Sequence, residues 1–226
     1  MKLSTLALTP LNQRYPESWP PYEYYIHESS LQATAVQGLR VLVEESAGER
    51  ELDDYISRHP ALLTALLDFN NTGHHAAWVV PKKAIRSKIS NDVNGLIPDF
   101  LVGGKNSYGI TWYVVELKGA GHSLFTKSGS SLYLSKTANR GLCQVLEYMH
   151  FCNTAQSYLR DVLKLQGFVS AEAFIFIGRD SETRPTREMD LKSALNSINA
   201  HLQIRSYDAL LRCCERIANT HSPVSG

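Results

Sequence analysis

One eight-residue stretch limits the fold more than any other feature of the chain. In Thr111-Trp112-Tyr113-Val114-Val115-Glu116-Leu117-Lys118, an apolar run rich in β-branched and aromatic residues ends in two opposite charges. Such a run reads as a strand, and strand side chains alternate between faces. Glu116 and Lys118 therefore project from one face, while Tyr113, Val115 and Leu117 project from the other, into a core. A strand this apolar is central in its sheet, so the charged pair lies at the end of a buried element. Charges in such a place must be satisfied by each other, by metal or by water. The preceding apolar segment, GLIPDFLVGG, carries Pro98-Asp99 where a neighbouring strand would meet that pair. GGKNSYG is the simplest hairpin between the two strands.

The remaining elements frame these strands. Ala35, Val36, Leu39, Leu42 and Val43 recur at the steps of a buried helix face, and a second helix follows Gly48 with Leu52, Tyr55 and Ile56 inward. Pro60 opens a short helix, PALLTALLD. AAWVV reads as a strand, and Gly119 to Asn139 as a mobile surface loop. Then come a long helix over roughly Ala138 to Leu165, the buried strand AEAFIFIG, a helix around LKSALNSIN, a short strand LQIRS and a last helix DALLRCCERI. The order predicts an α/β fold, a mixed central sheet flanked by helices. Residues 1 to about 27 are rich in Tyr and Pro and read as an arm that packs its aromatics on the body or on a partner chain. The expected division is residues 1–45 as N-terminal arm and helix and residues 46–226 as the main domain.

With 226 residues, 43% hydrophobic and 20% charged, the chain is long enough for a sizeable core and is neither disordered nor histone-like. A net charge of +1 leaves a local basic groove open. The four cysteines show no CxxC spacing and are expected as reduced thiols in a core. The N-terminus is too weak for a signal peptide and no run approaches a membrane span of about 20 residues, so the expected protein is soluble and cytoplasmic. His74-His75 lacks further ligands at a zinc spacing, and there is no phosphate-binding GxxxxGK[ST] loop.

Two carboxylates and a lysine converging on one spot suit phosphodiester hydrolysis. Asp99 and Glu116 offer hard oxygen ligands for Mg²⁺, with the backbone carbonyl of Leu117 as a further candidate. Such a metal lowers the pKa of a bound water. Lys118 would orient or deprotonate that water, or neutralise charge in the transition state.

The pattern Pro98-Asp99 … Glu116-Leu117-Lys118 resembles the PD-(D/E)XK nuclease superfamily. That resemblance implies a glutamate from a preceding helix, here Glu49, with Glu51 as the alternative. Gln144-Val145-Leu146-Glu147-Tyr148 resembles the Q-x-x-x-Y step of RecB-like nucleases, which implies that Gln144 helps to set the site and Tyr148 touches nucleic acid. The stretches ERELDDYISRHPALL, IPDFLVGG, WYVVELKG, SKTANRGLCQVLEYM, FIFIGR and RSYDALL together resemble the Shedu nuclease domain. This implies a restriction-endonuclease-like fold, cleavage of DNA with Mg²⁺ or Mn²⁺, a role in antiphage defence and a homo-oligomer. An endonuclease is the expected form, with RNA or single-stranded DNA as other substrates and a non-catalytic nucleic-acid-binding scaffold as the rival. Arg179 at a strand end either binds phosphate or pairs with Asp180. Lys127, Lys136 and Arg140, with the basic stretch Lys82, Lys83, Arg86 and Lys88, fit phosphate contacts, against the reading of a solvated face.

Overall fold

The computed structural model describes residues 15–27, 30–70, 73–82, 84–85, 97–180 and 186–220. Helix α1 (Ala33–Glu44) buries Ala35, Val36, Leu39 and Val43 on one stripe. Helix α2 (Glu49–Arg58) starts at Gly48, whose N–H donates to the Glu51 carboxylate, and turns Leu52 and Ile56 inward. Pro60–Asn70 forms 3-10 helix, and Leu62, Leu63, Ala65, Leu66 and Leu67 along it are all buried.

Six strands form the central sheet in the order β1-β2-β3-β4-β7-β8. They are β1 (Tyr25–Ile26), β2 (Ala76–Pro81), β3 (Phe100–Asn106), β4 (Gly109–Leu117), β7 (Ala171–Phe176) and β8 (Leu202–Arg205). The first four pair antiparallel, and β4, β7 and β8 pair parallel, so the sheet is mixed as expected. The hairpin joining β3 to β4 is the expected one, with Phe100 opposite Val115 and Asn106 opposite Gly109. Continuing that register by one step sets Asp99 opposite Glu116.

Alternation on β4 splits the interior in two. Tyr113, Val115 and Leu117 join α1, α2, the 3-10 segment and the C-terminal helix in one core. Trp112 and Val114 join Val145, Tyr148 and Cys152 in the other. The second core lies under α3 (Lys136–Thr154) and α4 (Gln156–Asp161). At Gly104 the first layer comes so close that an added Cβ would sit 2.7 Å from Leu67 Cδ2. Helices α5 (Thr186–Ile198) and α6 (Tyr207–Thr220) flank β8 in sequence. Tyr15 packs edge-on against Trp19 and Tyr25, and Trp19 and Tyr25 pack edge-on against Trp78, so these arm aromatics lie on the body.

Three expectations are corrected. The stretch from Gly119 is not a loop throughout: β5 (Phe125–Ser128) and β6 (Ser131–Leu134) make a two-stranded hairpin. Its turn uses Gly129 at φ 58°, and Phe125, Leu132 and Leu134 pack against the second core. The long helix is two helices, broken at Ala155, where the Thr154 hydroxyl donates to the carbonyls of His150 and Phe151. Cys152 and Cys214 are buried, but Cys143 is exposed. Among the described residues no helix is long and apolar enough to cross a membrane.

Strand β8 ends the sheet, and the Ile204 backbone groups point away from β7 while its side chain is buried in the second core. The Asn196 side chain of α5 takes both exposed backbone groups: Ile204 N–H donates to Oδ1 at 2.8 Å, and Nδ2 donates to the Ile204 carbonyl at 3.2 Å. An open edge invites pairing with another chain, and this amide closes it. Replacing Asn196 with Ala should cost about 1–3 kcal/mol in denaturant unfolding and speed hydrogen exchange at the Ile204 amide. Unchanged exchange there would show that the amide does not guard the edge.

Candidate active site

The carboxyl ends of β4, β7 and β8 lie along one border of the sheet, where ligands of α/β folds collect. Asp99, Glu116 and Lys118 meet there, 3%, 2% and 3% exposed. Lys118 donates from Nζ to Glu116 Oε1 at 2.7 Å and to Glu49 Oε2 at 3.1 Å. Asp99 Oδ2 accepts the Leu117 N–H at 2.9 Å, and Oδ1 accepts from Lys82 Nζ at 2.8 Å. The site is thus drawn from β4, the residue before β3, the residue after β2 and the start of α2.

Backbone contacts fix the turn that follows β4. Lys118 N–H donates to the Phe176 carbonyl, Ala120 N–H to Ala47, and Gly178 N–H to Gly119. The Tyr207 hydroxyl, fully buried, donates to the Lys118 carbonyl at 2.8 Å. From the opposite layer, α3 closes over the lysine at Gly141, where an added Cβ would stand 3.2 Å from Lys118 Cε. Gln144 and Tyr148 lie one turn apart on the same helix, and the Gln144 side-chain oxygen is buried without a hydrogen-bond partner among the described residues.

The electrostatics follow from burial. Desolvation and the neighbouring Asp99 charge push the Glu116 carboxyl up to about 7, against the opposing pull of Lys118. Burial alone would depress the Lys118 ammonium, but the Glu116 hydrogen bond and charge, helped by Glu49, raise it above its ordinary range. The lysine is therefore a cation in this arrangement and suits orientation and charge neutralisation rather than proton abstraction. Burial and the nearby carboxylates likewise raise the Tyr148 and Tyr207 hydroxyls, which remain neutral donors.

Glu116 Oε2 is buried and has no hydrogen-bond partner. One ligand oxygen from each of Glu49, Asp99 and Glu116 falls within 4.8 Å of the others. A cluster of three carboxylates, one of them with an orphaned oxygen, is a donor set that could hold a hard divalent cation.

The geometry also sorts the remaining expected residues. Glu49 reaches the site with a half-exposed side chain, while Glu51 caps its own helix. Leu117 supplies its amide to Asp99 and buries its side chain. Tyr148 is buried. Arg179 stands at the border that holds the site, paired with Asp208 at 3.4 Å rather than with Asp180, which binds Arg212 and Lys192 instead. Lys127, Lys136 and Arg140 are exposed and form no salt bridge among the described residues. Lys83, Arg86 and Lys88 lie outside the described residues.

Sequence reasoning missed Asp53, Lys82 as a site residue, and Tyr207. Asp53 had a signal, since it lies four residues after Glu49 and so on the same helix face. Lys82 had a weaker one, the first residue after an apolar strand. Nothing distinguished Tyr207 from an ordinary core tyrosine.

The family model described as Shedu protein SduA, C-terminal, matches residues 46–211, well over half of the chain. This chain belongs to the Shedu family. Membership implies a part in antiphage defence. The matched span of this Shedu protein contains every residue of the cluster, from Glu49 to Tyr207. No curated protein matches the chain.

Because Glu116 holds its proton more tightly in the fold than the ordinary value of 4.5, its contribution to stability is full below about 4.5 and drains away as pH rises through about 7. In the metal-free Shedu protein, the stability of wild type relative to Glu116→Gln should fall across that window in thermal unfolding. Parallel curves for the two proteins would show that Glu116 titrates as an ordinary carboxylate.

Proposed function

We propose that this Shedu protein is a metal-dependent deoxyribonuclease of the PD-(D/E)XK type, an endonuclease that cuts DNA in the cytoplasm as part of antiphage defence. The observation that carries this reading is the meeting of Glu49, Asp99 and Glu116 within 4.8 Å, with the Lys118 ammonium bonded to two of them. A structural ion pair would need one carboxylate for one lysine. Here the acids outnumber the bases, and one buried oxygen is left bare.

Glu49, Asp99 and Glu116 would hold Mg²⁺ or Mn²⁺, with the Leu117 carbonyl as a further ligand. When bound, such an ion activates water and neutralises charge that develops on the scissile phosphate. The protein's own groups do the rest. Asp99 is aimed by the Leu117 amide. Lys118, held above its usual pKa range, orients the attacking water and offsets charge on the phosphate oxygens. Gln144, three residues after the Gly141 that closes over Lys118, would help to set the centre. Arg179, Lys127, Lys136 and Arg140 are the proposed contacts to the DNA backbone, and Tyr148 supports that surface from within. Residues 46–226 form the catalytic unit, the described part of residues 1–45 completes its core, and the working form is a homo-oligomer.

Cleavage of linear duplex, circular and single-stranded DNA with Mg²⁺, Mn²⁺ or EDTA tests the reading. Lys118→Met and Asp99→Asn should each lower metal-dependent cutting by about a hundredfold or more, and Glu49→Gln should raise the metal concentration required. Circular DNA cut as well as linear DNA identifies an endonuclease. Equal activity in wild type and Lys118→Met would sink the site assignment. A folded wild type that binds DNA yet cuts nothing with any divalent metal would favour a binding scaffold.

A further inference from the structure

Asp99 is held by more than a ligand of a metal centre needs. Lys82 grips it at two points: its N–H donates to the Asp99 carbonyl at 2.8 Å, and its Nζ to Oδ1 at the same distance. The backbone contact extends the β2–β3 ladder and is independent of the side chain. The ammonium is another matter. It occupies one of the carboxylate oxygens while 37% of its side chain remains open to solvent, against 5% for Asp99. Lys82 is therefore anchored at its backbone and free to pivot at its tip.

A second acceptor stands nearby. Asp53 lies one helical turn after Glu49 on α2 and interacts electrostatically with both Lys82 and Asp99. Its Oδ1 is buried and has no hydrogen-bond partner. A buried, unpaired carboxylate oxygen is costly to leave so, and Lys82 carries a nearby charge that would satisfy it.

We propose that Lys82 is a displaceable counter-ion: its ammonium holds Asp99 while the site is metal-free and swings to Asp53 when Asp99 turns to a divalent cation. The inference rests on the metal-centre reading above. It gives Lys82 the role of a positioning residue, since it acts through Asp99 and not on substrate. In the metal-free state it keeps a buried carboxylate paired and in place. In the loaded state it offsets Asp53, which would otherwise be left bare beside the centre.

Titration of Mn²⁺ into the metal-stripped full chain, followed by calorimetry at one pH and ionic strength, tests the exchange. Lys82→Met should bind Mn²⁺ about fivefold more tightly than wild type, because Asp99 no longer has to shed a partner. Lys82→Gln, which keeps a hydrogen-bond donor and loses the charge, should move in the same direction and stands in if the methionine variant is unstable. Asp53→Asn should weaken binding in the wild-type background and leave it unchanged in Lys82→Met. That non-additivity separates an exchange of partners from simple charge, which would weaken both backgrounds equally. Equal affinity in wild type and both Lys82 variants would overturn the proposal while leaving the metal centre standing. An equal loss from Asp53→Asn in both backgrounds would overturn the part given to Asp53. Absence of Mn²⁺ binding in wild type and every variant would overturn the metal reading itself.

Discussion

A carboxylate with one oxygen on a lysine and the other bare, where water does not reach, is the constraint on which this structure turns. Glu116 is such a group, and no arrangement of core side chains alone makes it comfortable. Lys118 answers half of the demand and is itself shared with Glu49. What surrounds the pair reads as a response: Asp99 pinned by the Leu117 amide, the Lys118 carbonyl capped by Tyr207, and the turn after β4 tied to β7 and to Ala47. The sheet tolerates the concentration of charge because it lies at the border where β4, β7 and β8 end together, and not in the middle of either core.

The two cores divide the labour of holding that border. Leu52 and Ile56 seat α2 against the face that carries Val115 and Leu117, which brings Glu49 to the strand end. Ala138, Val145 and Tyr148 seat α3 against the other face, which brings Gly141 over the lysine. A Cβ at Gly141 would press on the lysine stem, 3.2 Å from Lys118 Cε.

Much of this was legible in the chain itself. The alternation in TWYVVELK placed Glu116 and Lys118 on one face and Leu117 on the other, and the hairpin through GGKNSYG carried Asp99 opposite Glu116. Those inferences need only neighbours in sequence or a short turn. The β5–β6 hairpin was hidden because its strands have four residues each and its turn is serine and glycine, the composition of a loop. Lys82 was read as part of a basic face because its partner is set by the pairing of β2 with β3, not by nearby residues. Tyr207 contacts a carbonyl 89 residues away, and only the packing of α6 against the sheet reveals it. Arg179 was read only as lying at a strand end with Asp180 as the rival partner, and its actual partner Asp208 comes from the same distant helix.

Glu49 comes from α2, Glu116 from the sheet and Gly141 from α3 on the opposite side, and the interior on each side of the sheet is separate. The centre therefore works as a gauge of the spacing between those layers. A load that slides α1 and α2 relative to the sheet lengthens the Glu49 contact and leaves the Glu116–Lys118 bond untouched. A load on α3 does the reverse, pressing Gly141 onto the lysine stem. Packed interiors transmit such shifts with little loss, so a force applied at the outer surface of either layer reaches the carboxylate cluster as a change of a fraction of an ångström.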